Sequence, residues 1–147
     1  MAILKKGKYW YGDSQIDIQA ELLRYSRKNE YPAEHYANAV CGICGGSSFK
    51  LLLDDEEGAA VRICKACKTE HPIGDSGEYL ADADLKECEC PCGSGEFEVT
   101  VGVALYPNSE DVRWLYVGCR CRLCGLTACY GDWKNEWIDF RELLNRV

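Results

Sequence analysis

The apolar positions change their period along the chain. Over residues 14–28 they recur at helical spacing, with Ile16, Ala20 and Leu23 on one face and Ile18, Leu22 and Tyr25 on another. Ser14 and Asp17 stand as Ser-x-x-Asp, a capping-box-like start. Arg24, Arg27 and Lys28 gather near the end, where the helix dipole favours cations, and Pro32 stops the run. The pattern predicts a helix over 14–28, covered on two sides. Upstream, residues 5–12 read as a short strand or arm.

From residue 40 a different logic holds. Residues 47–53 read as a strand, the acidic stretch 54–58 as a turn closed by Gly58, and 59–63 as the returning strand. A longer hairpin comes next: Phe97, Val99, Val101 and Val103 alternate on one strand, residues 107–111 turn the chain, and 112–118 return it. Near the end, Trp137, Phe140 and Leu144 fall at helical spacing, with Leu143 adjoining, which predicts a second helix over 135–145.

Cysteine placement gives these hairpins a purpose. Cys41-x-x-Cys44 precedes the first and Cys64-x-x-Cys67 follows it; Cys90-x-Cys92 precedes the second and Cys121-x-x-Cys124 follows it. Nineteen residues separate Cys44 from Cys64, a spacing suited to a four-cysteine zinc site. Zinc takes four ligands in a tetrahedron, and a Cys-x-x-Cys turn offers two thiolates on one side with backbone N–H groups directed at them. Gly45, Gly93 and Gly125 follow the second cysteine of their turns, where a tight reversal suits glycine. The expected metal ligands are Cys41, Cys44, Cys64 and Cys67 for one ion, and Cys90, Cys92, Cys121 and Cys124 for a second. Cys88 is the other candidate for the place given to Cys90. Cys88, Cys119 and Cys129 are then left as buried or half-buried free thiols.

The two segments share more than cysteines. Phe49 and Phe97 each lie five residues past the second cysteine of the opening pair, and Gly74-Asp75 and Gly131-Asp132 lie seven and eight residues past the last cysteine. These offsets predict an internal duplication with a hairpin of variable length. Each Gly-Asp pair reads as a turn, with Asp capping the next segment.

Composition narrows the class. Eleven cysteines in 147 residues, an odd number, fit a disulfide framework badly. No apolar run approaches the ~20 residues of a membrane span, and the N-terminus lacks an apolar signal segment, so a cytoplasmic protein is expected. The formal charge is −7 and residues 51–98 carry most of it, with four basic and thirteen acidic groups. A polyanionic partner meets repulsion over that surface.

The run "CGIC…CKAC" resembles a zinc ribbon, the fold in which two knuckles clamp one metal, and "CPC…CRLC" resembles a second ribbon with one shortened knuckle. "CPCGSG" is also similar to the start of the SEC-C motif, whose Cys-x-Cys pair supplies two zinc ligands; "EFEVTV" then departs from that motif. The ribbon resemblance covers residues 40–80 and 88–131 and implies metal binding without specifying a function.

The expected architecture is α+β: two zinc-ribbon-like hairpin modules with an N-terminal and a C-terminal helix packed on them. The divisions are an arm and helix (1–39), a first ribbon (40–87), and a second ribbon with the C-terminal helix (88–147). No triad, phosphate loop or open-site zinc pattern is present. A closed four-thiolate site leaves no position for substrate, so the reading is a non-enzymatic protein with two structural Zn2+ ions that binds another protein, as an adaptor or as an immunity-type inhibitor of a basic toxin.

Two alternatives stand beside it. One is nucleic-acid binding, with Tyr9, Trp10, Tyr11, Trp114, Tyr116, Tyr130, Trp133 and Trp137 as stacking groups and Lys5, Lys6, Lys8, Arg113, Arg120 and Arg122 as the charge. The other is iron in rubredoxin-like sites for electron transfer. His71, four residues past Cys67, is a minor candidate ligand, and His35 a boundary residue.

Overall fold

The structure, a computed structural model, describes residues 3–135 and 138–147. Among the described residues, ten strands, two short α-helices and one 3-10 turn occur in order: β1 (Leu4–Lys6), β2 (Tyr9–Tyr11), α1 (Asp17–Lys28), β3 (His35–Asn38), β4 (Phe49–Asp54), β5 (Ala59–Cys64), β6 (Glu70–Pro72), the 3-10 turn (Ser76–Glu78), β7 (Lys86–Glu87), β8 (Phe97–Leu105), β9 (Val112–Cys121), β10 (Leu126–Lys134) and α2 (Phe140–Leu144). All pairings are antiparallel, and the main path across the sheet is β1-β2-β10-β9-β8-β4-β5-β6.

The two hairpins share one register. In β4–β5, Phe49 faces Cys64 and Asp54 faces Ala59; in β8–β9, Phe97 faces Cys121 and Gly102 faces Tyr116. A shift of 48 along the first strand and 57 along the second carries one set of pairs onto the other. The same 57 carries the third strands across: Ile63↔Glu70, Arg62↔His71 and Val61↔Pro72 correspond to Arg120↔Thr127, Cys119↔Ala128 and Gly118↔Cys129.

The strands leading into each hairpin are exchanged. β3, which precedes Cys41, pairs with β8 of the second hairpin, placing Ala37 opposite Val101 and Asn38 opposite Thr100. β7, which precedes Cys90, pairs with β4 of the first, placing Lys86 opposite Leu53 and Glu87 opposite Leu52. The next hydrogen bonds correspond as well: Ala39 N–H donates to Val99 O at 2.9 Å, and Cys88 N–H donates to Leu51 O at 2.8 Å. Phe49 and Phe97 pair with each other, both fully buried, where the two hairpins meet.

Helix α1 lies against β8, β9 and β10 through Ile18 and Leu22, both without solvent exposure. The sheet admits it because glycine stands beneath it. A Cβ at Gly118 would sit 2.5 Å from Ile18 Cγ2 and 2.9 Å from Leu22 Cδ2. Asp17, Glu21 and Ser26 are buried with them, whereas Ile16 is exposed and Leu23 half-buried, so the two-sided covering expected from the sequence is absent. The helix begins at Asp17 rather than Ser14, because residues 14–16 form tight turns such as Asp17 N–H to Ser14 O. Half of the capping box is made: Asp17 Oδ2 accepts from Ser14 N–H at 3.2 Å and Asp13 N–H at 2.8 Å.

The C-terminal helix is shorter than the pattern predicted. Ile138 O accepts from Val112 N–H and Asp139 bridges Asp111, so this stretch is extended until Asp139 caps α2 by accepting from Arg141 N–H at 2.8 Å. Trp137, assigned to that helix by spacing, lies outside the described residues. Gly131-Asp132 also differs from expectation. It lies within β10 after a bulge rather than in a turn, and Asp75 precedes the 3-10 turn without a side-chain cap.

Gly118→Ala is expected to destabilise the protein by about 1–3 kcal/mol, because the new methyl group must displace α1. Chemical denaturation monitored by circular dichroism checks this.

Candidate metal centres

Four turns close at the ends of the hairpins by one local rule. In the three Cys-x-x-Cys turns the first cysteine's carbonyl accepts from the N–H four residues on: Gly45 to Cys41, Lys68 to Cys64 and Gly125 to Cys121, each at 2.9 Å. In the shortened turn, Gly93 N–H reaches Cys90 O at 2.8 Å, three residues on. The residue closing every turn is left-handed, with φ of 76° at Gly45, 67° at Lys68, 98° at Gly93 and 84° at Gly125. Lys68 takes this conformation without being glycine, which is why glycine marked only three of the four turns in the sequence. In each turn the first cysteine is buried and the second exposed.

These turns bring eight sulfurs into two groups. Cys41, Cys44, Cys64 and Cys67 form one, Cys90, Cys92, Cys121 and Cys124 the other, and within each group all sulfurs lie within 4.8 Å of one another. Close sulfur contacts run between turns: Cys41 to Cys67 and Cys44 to Cys64 at 3.5 Å, Cys90 to Cys124 and Cys92 to Cys121 at 3.6 Å. A disulfide needs about 2.05 Å. A tetrahedron with metal–sulfur bonds of about 2.3 Å has edges of about 3.8 Å. The donor set therefore fits a tetrahedral ion, and either group could hold one.

Local dipoles favour the thiolates of Cys64, Cys67 and Cys121, whereas the thiols of Cys44, Cys90 and Cys124 are pushed up, the last two chiefly by burial. The Thr69 hydroxyl and N–H beside Cys67, with its Oγ1 3.1 Å from the sulfur, hold that thiol down at about 6. Burial opposes ionisation of Cys121, but the N–H groups of Cys124 and Leu123 prevail and bring it to about 7. The Cys64 thiol is lowered, chiefly by the N–H of Cys67. Gly46 matters for space: a Cβ there would lie 3.3 Å from the sulfurs of both Cys44 and Cys64.

Arg62 was not singled out from the sequence. It is buried under the first group, with its guanidinium carbon 4.7 Å from the Phe49 ring centroid, Nε and Nη2 donating to Val147 O at 3.1 and 2.8 Å, and Nη2 donating to Val40 O at 3.3 Å. Burial lowers its pKa, and nearby Cys41 and Cys64 oppose that shift. The register places Cys119 at the matching position of the second hairpin, so the second group has a buried thiol where the first has a cation.

The remaining cysteines stand apart from both groups. Cys88 occupies the leading strand position that matches Ala39, which turns its place in the pattern from ligand to strand. Burial, then Asp55 and Glu87, push its thiol up to about 11. Burial raises Cys119 and Cys129 well above the ordinary thiol value. His71 pairs with the Arg146 carbonyl rather than with the sulfurs, and His35 stacks on Phe140 at 3.9 Å.

A scan of protein-family models, a search of curated proteins and a search of solved structures each find no match to this chain.

At neutral pH, Cys88, Cys119 and Cys129 are expected to resist iodoacetamide in the native protein and to react once it is unfolded. Peptide mass spectrometry before and after denaturation checks this.

Proposed function

We propose that this chain is a non-enzymatic protein holding two structural zinc ions, one in each four-cysteine group, and that it serves as a protein–protein interaction module of the adaptor or immunity-inhibitor kind. The observation that carries the metal reading is the paired sulfur geometry, with contacts of 3.5 and 3.6 Å between turns that share one backbone design. Cys41, Cys44, Cys64 and Cys67 hold one ion and Cys90, Cys92, Cys121 and Cys124 the other. Four thiolates complete a tetrahedral shell, which supports a structural role. Binding of this kind contributes ~10–16 kcal/mol to folding. The matched registers and exchanged leading strands support an origin by internal duplication.

For the interaction role, the supporting feature is what the metal turns present. Ile43 and Leu123, each 75% exposed, occupy the third position of their turns, and Val40 is exposed beside the first. Large apolar side chains at such tips, on a chain of net charge −7, suit a basic or neutral protein surface better than a polyanion. The aromatic groups offer less to nucleic acid than their number implied. Tyr116 and Trp133 are buried, Trp114 stacks on Tyr31 at 5.2 Å, and Tyr130 packs edge-on against Phe97 at 5.1 Å. Iron in the same sulfur groups is the second metal reading, since tetrahedral thiolate sites accept either ion.

Metal analysis of the purified chain is expected to give two zinc ions per molecule and a colourless solution; colour with iron would replace zinc by the electron-transfer reading. Cys44→Ser and Cys124→Ser are each expected to reduce the stoichiometry to one and to lower the melting temperature. Retained stoichiometry and unchanged melting in both variants would contradict the ligand assignment.

Affinity purification from native cells is expected to recover a stable protein partner, and Ile43→Ser with Leu123→Ser to weaken its capture. A low-salt gel shift in place of a protein partner would favour nucleic acid.

A further inference from the structure

The two sulfur groups share a backbone design and differ in the charges set around it. The buried member of that set is Arg62, 4% exposed on β5. Three relations fix its place beside the first group. Cys64 lies two residues on, hence on the same face of the strand. Phe49, opposite Cys64 in the register, has the guanidinium carbon 4.7 Å from its ring centroid. Val40, whose carbonyl accepts from Nη2 at 3.3 Å, adjoins Cys41. The cation is thus held on the side of Cys41 and Cys64, the two buried cysteines of the group. Its hydrogen bonds go to the Val40 and Val147 carbonyls, and no side-chain carboxylate pairs with it among the described residues.

The flanking positions extend the contrast. Around the second group the arginines are spent on glutamates. Arg120 Nη1 meets Glu98 Oε1 at 2.9 Å, and Arg122 meets Glu96 at 3.7 Å and Glu98 at 3.5 Å. The first hairpin has Ser48 and Lys50 in place of those two glutamates, and Lys50 meets Glu87 at 3.0 Å. Lys65 and Lys68 adjoin Cys64 and Cys67 of its closing turn; their counterparts are Arg122 and Gly125. The opposing acid of the first hairpin is exposed Glu70, where the second has Thr127.

Four thiolates on one divalent ion leave two negative charges. A buried cation beside them stabilises the loaded site and disfavours the protons that the sulfurs must take up when the ion leaves. Cys119, at the place matching Arg62, offers no such charge.

We propose that Arg62 is a positioning residue of the first centre, acting through Cys41 and Cys64 to retain its ion, and that the second centre holds an exchangeable one. This rests on the reading of two zinc ions given above. The chain then keeps one ion permanently and yields the other to a competing ligand, so that its second half responds to metal supply.

The test mixes the full two-zinc chain with excess EDTA. Native mass spectrometry counts the ions retained, and a maleimide pulse with peptide mapping identifies the cysteines set free. A one-zinc species is expected, labelled at Cys90, Cys92, Cys121 and Cys124 and protected at Cys41, Cys44, Cys64 and Cys67. Arg62→Gln keeps a donor for the carbonyls and drops the charge. It is expected to speed release of the first ion about tenfold or more and to leave the second unchanged. Arg62→Lys keeps the charge and is expected to preserve the order of release, which a purely structural role would not require. Melting curves of both zinc-loaded variants check the fold; should neither fold, the order of release from the unaltered chain decides. Earlier loss of the first ion, loss of both at one rate, or retention in the Gln variant with loss in the Lys variant would overturn the proposal. A purified chain without two zinc ions would overturn the two-zinc reading itself, and the proposal with it.

Discussion

Four thiolates gathered within 4.8 Å cannot coexist without positive charge among them. That constraint organises both hairpin ends. Every turn ends in a left-handed residue and leaves one sulfur buried and one exposed. Both groups meet the demand with the same backbone, but their surroundings differ. Arg62 adds a cation beside Cys41 and Cys64, whereas Cys119 fills the matching place in the second hairpin. The first group therefore has a built-in electrostatic complement that the second lacks.

The sulfur groups sit at the ends of the hairpins; the centre is a shared apolar interior. Phe49 and Phe97 meet there, each opposite the buried cysteine that opens the closing turn of its own hairpin. Each hairpin is thus anchored at one point to the other hairpin and to its own sulfur cluster. The extended core of Val99, Val101, Leu115 and Val117 belongs to the longer second hairpin, and α1 covers its opposite face. Beside the first hairpin the 3-10 turn packs against β5, and a cavity lies next to Trp133 and Asp75.

Much of this was legible in the chain because it depends on local offsets. The cysteine spacing located both groups while leaving Cys88 open beside Cys90, and the alternation from Phe97 to Val103 located β8. What could not be read depends on partners distant in sequence. Nothing near Arg62 announces that it lies buried beside thiols, and Lys68 does not advertise a positive φ. The Gly131-Asp132 pair looks like a turn in isolation; strand pairing with β9 overrides it through a bulge. The helical spacing near the end similarly yields at Ile138 to hydrogen bonding with Val112. The exchange of β3 and β7 left no trace at all, because both strands are short and their partners lie across the molecule.

That exchange bears on how the chain acquires its shape. β3 has no bed until residues 100–103 exist, and the edge of β4 remains open until β7 arrives. A ribosome delivering the polypeptide in order therefore produces a first half with unsatisfied edges on both sides. Closure across some sixty intervening residues penalises speed. Assembly must be concerted between the halves, and interrupting synthesis midway would release a sticky fragment instead of a finished unit.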